Sequence, residues 1–280
     1  MEHRILKKLL EYLEEDIPFG DITGDLIPED KVAKARIEAR ENFKVFGLKY
    51  ARLLMEYFDL KVRLSKSDEE WVKRGDVLIE VEGNARKILM LERTVLNLIS
   101  RLSGITTQVA YFVIKAKNIN KDVIIACTRK TTPGLRYFEK MAVKAGGGDT
   151  HRFSLSDCVM IKDNHLKVLG GIENAIREAK RLSSFAHKIE VEVENIEDAI
   201  KAAEFGADIV MLDNMLPEEV KKVVELYKEK GYSGKVLLEA SGGITFDNIE
   251  DYVETGVDII SSGFLIYGAK WVDISMEFET

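Results

Sequence analysis

The chain has 280 residues, with 41 Lys/Arg against 48 Asp/Glu and 46% hydrophobic residues, for a formal net charge of −7. That length holds one large α/β domain, or one with a smaller companion, and the acidic balance argues against a nucleic-acid track. No stretch of about 18 uncharged apolar residues occurs and the N-terminus reads as an amphipathic helix, so a soluble, intracellular protein without a membrane span or secretory leader is expected.

In chain order, a helix is predicted around 5–13, followed by a turn-rich loop at 16–23 that caps the next element. Residues 31–40 alternate as a half-buried strand, 47–57 read as helix, and 61–64 and 77–81 as strands, with a turn at Gly75-Asp76. Helical spacing runs from Ala85 to about Ser103, where Gly104 predicts an interruption before a second helix to about Lys117. From Asp122 the pattern becomes regular. The apolar runs VIIAC, CVMI, KIEVEV, DIVML, KVLLEA and VDIIS alternate with helical segments at 135–144, 172–182, 196–205, 217–230 and 246–255. Near-continuous apolar strands separated by helices imply a parallel sheet covered on both faces. Six of them in series suggest a (β/α) barrel, closed or partly open. Cys127 and Cys158 sit at the ends of two apolar runs without metal-ligand spacing, which predicts free, reduced thiols.

The residues that end these strands carry the chemistry. They are Thr128-Arg129-Lys130, Lys162-Asp163-Asn164, Glu192 with Glu194-Asn195, Asp213-Asn214, Ser241-Gly242-Gly243 and Ser261-Ser262-Gly263. In a parallel barrel such ends gather at one mouth. Between Arg129 and Lys167 there are eight Lys/Arg against four Asp/Glu, a cationic cluster in an acidic chain. A solvated helix face is the ordinary reading of a charge run. Here Arg129, Lys130, His151, Arg152 and Lys162 sit in turns or beside glycines, where side chains converge on a small polyanion. Glu192 and Asp213, on successive strands, suit a sugar diol or Mg²⁺. Glu190, at the start of its strand, reads as a structural or rim residue. The two Ser/Gly loops read as a phosphate cradle, and Gly146-Gly147-Gly148 as a helix stop that lets backbone pass close to a ligand. No serine elbow or His/Cys pair is present, so catalysis would be mainly electrostatic.

The segments EEDIPFGDIT, LERTVLNLISRLSGITT, TRKTTPGLRYFEKMAVKAGGG, HR, IKDNH, KIEVEVEN, MLDNM, LEASGGI and GVDIISSG, in this order and over nearly the whole length, resemble the quinolinate phosphoribosyltransferases. The resemblance implies an α/β protein: an N-terminal α/β sandwich (1–105), an open (β/α) barrel (106–267) and a C-terminal segment (268–280) returning to the first domain. It implies transfer of phosphoribosyl from phosphoribosyl pyrophosphate to quinolinate with loss of CO₂, Mg²⁺ as cofactor, and a cytoplasmic homodimer or higher oligomer with a shared active site and no nucleic-acid or membrane partner. Lys130, Lys162, Glu192 and Asp213 match catalytic positions, with Glu192 and Asp213 as metal acids. Thr128, Arg129, His151 and Arg152 match the anion pocket, and Ser241, Gly242, Gly243, Ser261, Ser262 and Gly263 the 5′-phosphate site. Arg93 would come from the partner subunit. Two departures stand out: Ile266-Tyr267-Gly268 replaces a Thr-His-Ser-like run, and Asp149-Thr150 precedes His151. A molybdenum-transport-associated homologue and a non-catalytic phosphosugar-binding protein are the alternatives.

Overall fold

A computed structural model describes residues 2–279. The chain divides into two compact units, Met1–Gln108 with Ala269–Thr280, and Val109–Gly268.

The first unit is built on an antiparallel sheet of order β12-β1-β5-β3. Strand β1 (Val32–Ala39) pairs with β5 (Val77–Asn84), which pairs with β3 (Lys61–Leu64); Phe43–Lys44 (β2) and Trp71–Val72 (β4) form a separate short ladder. Helices α1 (Glu2–Asp16) and α2 (Leu48–Tyr57) pack on each other and bury Leu9, Leu13, Leu54 and Met55. On β1, Ala35, Ile37 and Ala39 are buried while Arg36 and Lys34 are not, the period of two that the sequence shows. The free edge of β1 is taken by the C-terminal strand β12 (Ile274–Phe278), running from Ala39↔Ile274 to Ala35↔Phe278. The last segment therefore does return to the first unit.

Helix α3 (Ala85–Lys117) corrects the sequence reading, because it runs unbroken for 33 residues through Gly104. Glycine is there for contact. A Cβ at position 104 would stand 2.0 Å from the Lys270 carbonyl oxygen, so helix and chain pack backbone to backbone.

The second unit is a six-stranded parallel sheet of order β6-β11-β10-β9-β8-β7. Its strands are β6 (Ile124–Ala126), β7 (Val159–Ile161), β8 (Ile189–Val193), β9 (Ile209–Asp213), β10 (Leu237–Ser241) and β11 (Ile259–Ser261). All six lie where the apolar runs put them. Strands β6 and β7 are edges that do not pair with each other, so the barrel is open. Beside β6, Asp149 makes an isolated parallel bridge to Ala126, which brings the 149–152 loop to that edge. Helices α4 (Arg136–Ala145), α6 (Ile172–Leu182), α7 (Ile196–Glu204), α8 (Pro217–Glu229) and α9 (Ile249–Val253) follow the predicted periodicity. Two differences are local. A short helix α5 (Asp163–Leu169) begins directly after Lys162, where the sequence reading had a loop. Helix α9 starts late because the Asn248 side chain accepts the Thr245 amide and holds a turn ahead of it. A four-residue helix α10 (Phe264–Tyr267) follows β11.

Candidate active site

The carboxyl ends of the parallel strands converge on a cavity of about 420 Å³ within the second unit. Of the residues singled out from sequence, it is lined by Thr128, Arg129, Lys130, His151, Arg152, Lys162, Glu192, Asp213, Ser241, Gly242, Gly243 and Ser261. Residues spread over more than 130 positions share one wall because parallel strands place all their ends on one side.

The cations come from three loops. Arg129 and Lys130 follow β6, and the Thr128 hydroxyl accepts the Lys130 amide at 3.1 Å, holding the turn. Gly263 leaves room for the Lys130 side chain, because a Cβ there would fall 2.9 Å from both Lys130 Cδ and the Tyr267 ring. Arg129 Nε is buried and lacks a hydrogen-bond partner among the described residues. Burial, then the neighbouring charges of Arg152 and Arg136, hold the Arg129 guanidinium below its ordinary value. An unpaired buried guanidinium nitrogen among like charges is what an anionic ligand would satisfy.

Lys162, at the end of β7, forms an ion pair with Glu192 Oε2 on β8. Asp213 accepts a hydrogen bond from the Asn214 side chain at 2.7 Å. Both carboxylates offer hard oxygen donors at the cavity surface, a donor set that suits Mg²⁺. The tightest His/carboxylate group among the described residues is a different one: ligand atoms of His151, Glu190 and Glu239 lie within 4.8 Å of one another.

That group narrows one sequence reading and changes another. Of the structural and rim readings of Glu190, burial selects the structural one: it is fully buried, like Glu239 on β10. His151 turns inward, its Nε2 lying 3.1 Å from Glu239 Oε2 and 3.5 Å from Glu190 Oε1. Its Nδ1 accepts the Arg152 amide at 2.7 Å. Burial works against charge on His151, but the hydrogen bonds and charges of the two glutamates outweigh it and push its pKa up to about 10. Desolvation raises Glu190 as well, against the pull of His151. The Nδ1 contact describes a neutral ring, whereas the carboxylates favour an added proton; that proton belongs to the trio rather than to one residue. Glu239 was missed from sequence, although a lone acid inside the run KVLLEA signals a buried charge that needs a partner. Met160 and Met211, which also line the cavity, carry no such signal.

The Ser/Gly loops divide. Gly242 (φ 92°) fits only as glycine, since a Cβ would meet Asn214 Oδ1 at 2.3 Å. In the cavity lining, the Ser261 hydroxyl donates to the Ser241 hydroxyl at 3.0 Å. Ser262 and Gly263 do not line the cavity; the Ser262 hydroxyl donates to the Ile244 carbonyl at 2.6 Å and ties the two loops together. Gly148 packs a bare Cα against Val109 and Val143 rather than against a ligand. Arg93 is an exposed residue of α3 in the first unit and does not line this cavity. Cys127 is buried and Cys158 half-buried, both free, and burial pushes each thiol up to about 11, which removes them as nucleophiles.

Comparison with known proteins gives a consistent result. Residues 21–103 match the family described as "Quinolinate phosphoribosyl transferase, N-terminal domain", and 105–277 its C-terminal domain. A Methanocaldococcus jannaschii protein described as "Probable nicotinate-nucleotide pyrophosphorylase [carboxylating]" is 48% identical over 277 residues, covering 98% of this chain and 96% of its own. A Methanothermobacter thermautotrophicus protein of the same description is 46% identical over 268 residues, covering 95% and 96%. The solved nicotinate-nucleotide pyrophosphorylase from Francisella tularensis superposes with a TM-score of 0.92 at 36% identity, covering 100% of this chain and 97% of that one.

Proposed function

The chain belongs to the quinolinate phosphoribosyl transferase family, and from this we infer that its cavity joins quinolinate to the ribose of phosphoribosyl pyrophosphate. It is a pentosyltransferase of pyridine nucleotide synthesis, making nicotinate mononucleotide, pyrophosphate and CO₂. The observation that carries this reading is the sorting of one cavity into an arc of cations, a pair of acids and a Ser/Gly loop.

Quinolinate bears two adjacent carboxylates, and Arg129 and Arg152 offer planar forks to hold them, with Lys162 as a point charge. So held, the ring nitrogen attacks the anomeric carbon, and the bond to pyrophosphate breaks with its electron pair leaving on the phosphate oxygen. The ring is now a pyridinium. The C2–carboxylate bond then breaks, CO₂ leaves, and the electrons left at C2 are stabilised by the adjacent positive nitrogen until a proton arrives. Lys130 and Lys162 would stabilise the negative charge that develops on the leaving group, and Glu192 and Asp213 the ribose hydroxyls and the positive charge on the sugar. Mg²⁺, held by Glu192 and Asp213, would neutralise charge on pyrophosphate. The Gly242 and Gly243 amides with Ser241 and Ser261 would receive the 5′-phosphate. Arg93 from a second copy of this chain would complete the cationic arc, making the working unit a homodimer or a multiple of one. No helix is long and apolar enough to cross a membrane, and phosphorylated substrates make the cytoplasm the natural place of work.

Purified protein with Mg²⁺, phosphoribosyl pyrophosphate and quinolinate should consume quinolinate and release CO₂ in equal amounts, and chelation should abolish turnover. Turnover of nicotinate with none of quinolinate would overthrow the reading.

A further inference from the structure

Lys140, on α4, is fully buried, yet it lies outside the cavity lining and outside the mechanism above. A buried ammonium costs several kcal/mol unless its donors are used, so its place needs an explanation. Its Nζ donates to two carbonyls, Thr150 O and, at 2.7 Å, Arg152 O. These carbonyls straddle His151. They belong to the loop that the isolated bridge at Asp149 brings to the open edge of β6.

That loop needs a clamp. His151 has φ 49°, the left-handed region, which strains a non-glycine residue. The Asp149 side chain accepts the His151 amide at 2.6 Å, and Glu239 engages the ring from below. Both contacts act at His151. Lys140 alone reaches across to the carbonyl of Arg152, the residue whose guanidinium lines the cavity. The Phe153 ring lies over the ammonium at 5.5 Å and encloses the same point. A single charge with three donors can fix the separation of two carbonyls two residues apart, which an apolar side chain of equal length cannot. Burial depresses the Lys140 pKa, against the opposing pull of the neighbouring Cys127.

We propose that Lys140 is a positioning residue: it bridges the Thr150 and Arg152 carbonyls, holds the strained turn at His151, and so aims Arg152 at the carboxylates of the pyridine substrate. The last step rests on the function proposed above. The anchoring does not.

Lys140→Met keeps the length and removes the donors. Hydrogen exchange of amides 149–153, measured without substrate, should accelerate about tenfold or more in this variant, with the rest of the second unit unchanged. The KM for quinolinate should rise about tenfold or more, while that for phosphoribosyl pyrophosphate stays within about twofold, as loss of one aimed charge contact implies. In an Arg152→Ala background Lys140→Met should add nothing further to the quinolinate KM, because the two act through one contact. If the methionine variant does not fold, Lys140→Leu, which also removes the donors, is read in the same way. Unchanged exchange at 149–153, a parallel rise in both KM values, or additivity with Arg152→Ala would overturn the proposal. Failure of the wild-type protein to use quinolinate would instead remove the functional reading and leave the anchoring to be decided by exchange.

Discussion

At the scale of single residues, the site is governed by burial more than by charge count. Arg129, Lys162, Glu192 and Asp213 line the cavity as their strand-end positions imply, and Arg152 joins them from the loop between α4 and β7. His151 had looked like one more cation for the ligand, but its Nε2 is spent on two buried glutamates. This has a consequence for pH. The folded pKa of His151 stands near 10 against an ordinary 6.5, and Glu190 is also raised. A raised pKa stabilises the fold fully below the unfolded value and loses that contribution as pH climbs through the folded one. For His151 this predicts that stability falls between pH 6.5 and about 10, and the raised Glu190 adds a decline that begins above its ordinary value of 4.5. Thermal melting across that window should show the decline, and Glu239→Gln should flatten it. A midpoint that holds steady in wild type would contradict the coupling.

At the scale of elements, the strands and most helices of the second unit were legible because their periodicity is set by burial on both faces of a parallel sheet. Ile172–Leu182 was read to the residue, and β8 follows the run KIEVEV. The misreadings share a cause. Gly104 reads as a breaker by propensity alone, yet the helix continues because tertiary contact with Lys270 needs a residue without a side chain. Gly104→Ala makes this testable. Helix propensity alone would add about 1 kcal/mol of stability, whereas overlap with a carbonyl should cost about 1–3 kcal/mol or more. A lowered unfolding midpoint is expected in denaturant titration, and a raised one would show that the close approach is not real. Helix α5 was overlooked for a similar reason: in Lys162-Asp163-Asn164 the polar strand end and the first helical turn are the same residues.

At the scale of the whole molecule, the proposed shared site makes a prediction that no single side chain can. If Arg93 acts in the cavity of another copy, Arg93→Ala and Glu192→Gln proteins, each inactive, should recover activity when mixed and allowed to exchange subunits. Random pairing puts half the dimers in mixed form with one intact site each, so about a quarter of wild-type turnover is expected. No recovery, with exchange confirmed by mass, would confine each site to its own chain. The ordered motifs by themselves determined the family, the α/β class, the six parallel strands and the charged set at their ends, because apolar periodicity and strand-end chemistry are local properties of the chain. The resemblance already implied an open barrel and a returning C-terminal segment; the tertiary structure decided that the opening lies between β6 and β7, that β12 pairs on the edge of β1, and that Glu190, Glu239 and Lys140 are buried. Which charges lose their water, and which groups they meet when they do, depends on residues nearly 90 positions apart coming into contact, as His151 and Glu239 do. Sequence spacing does not encode that meeting; packing does.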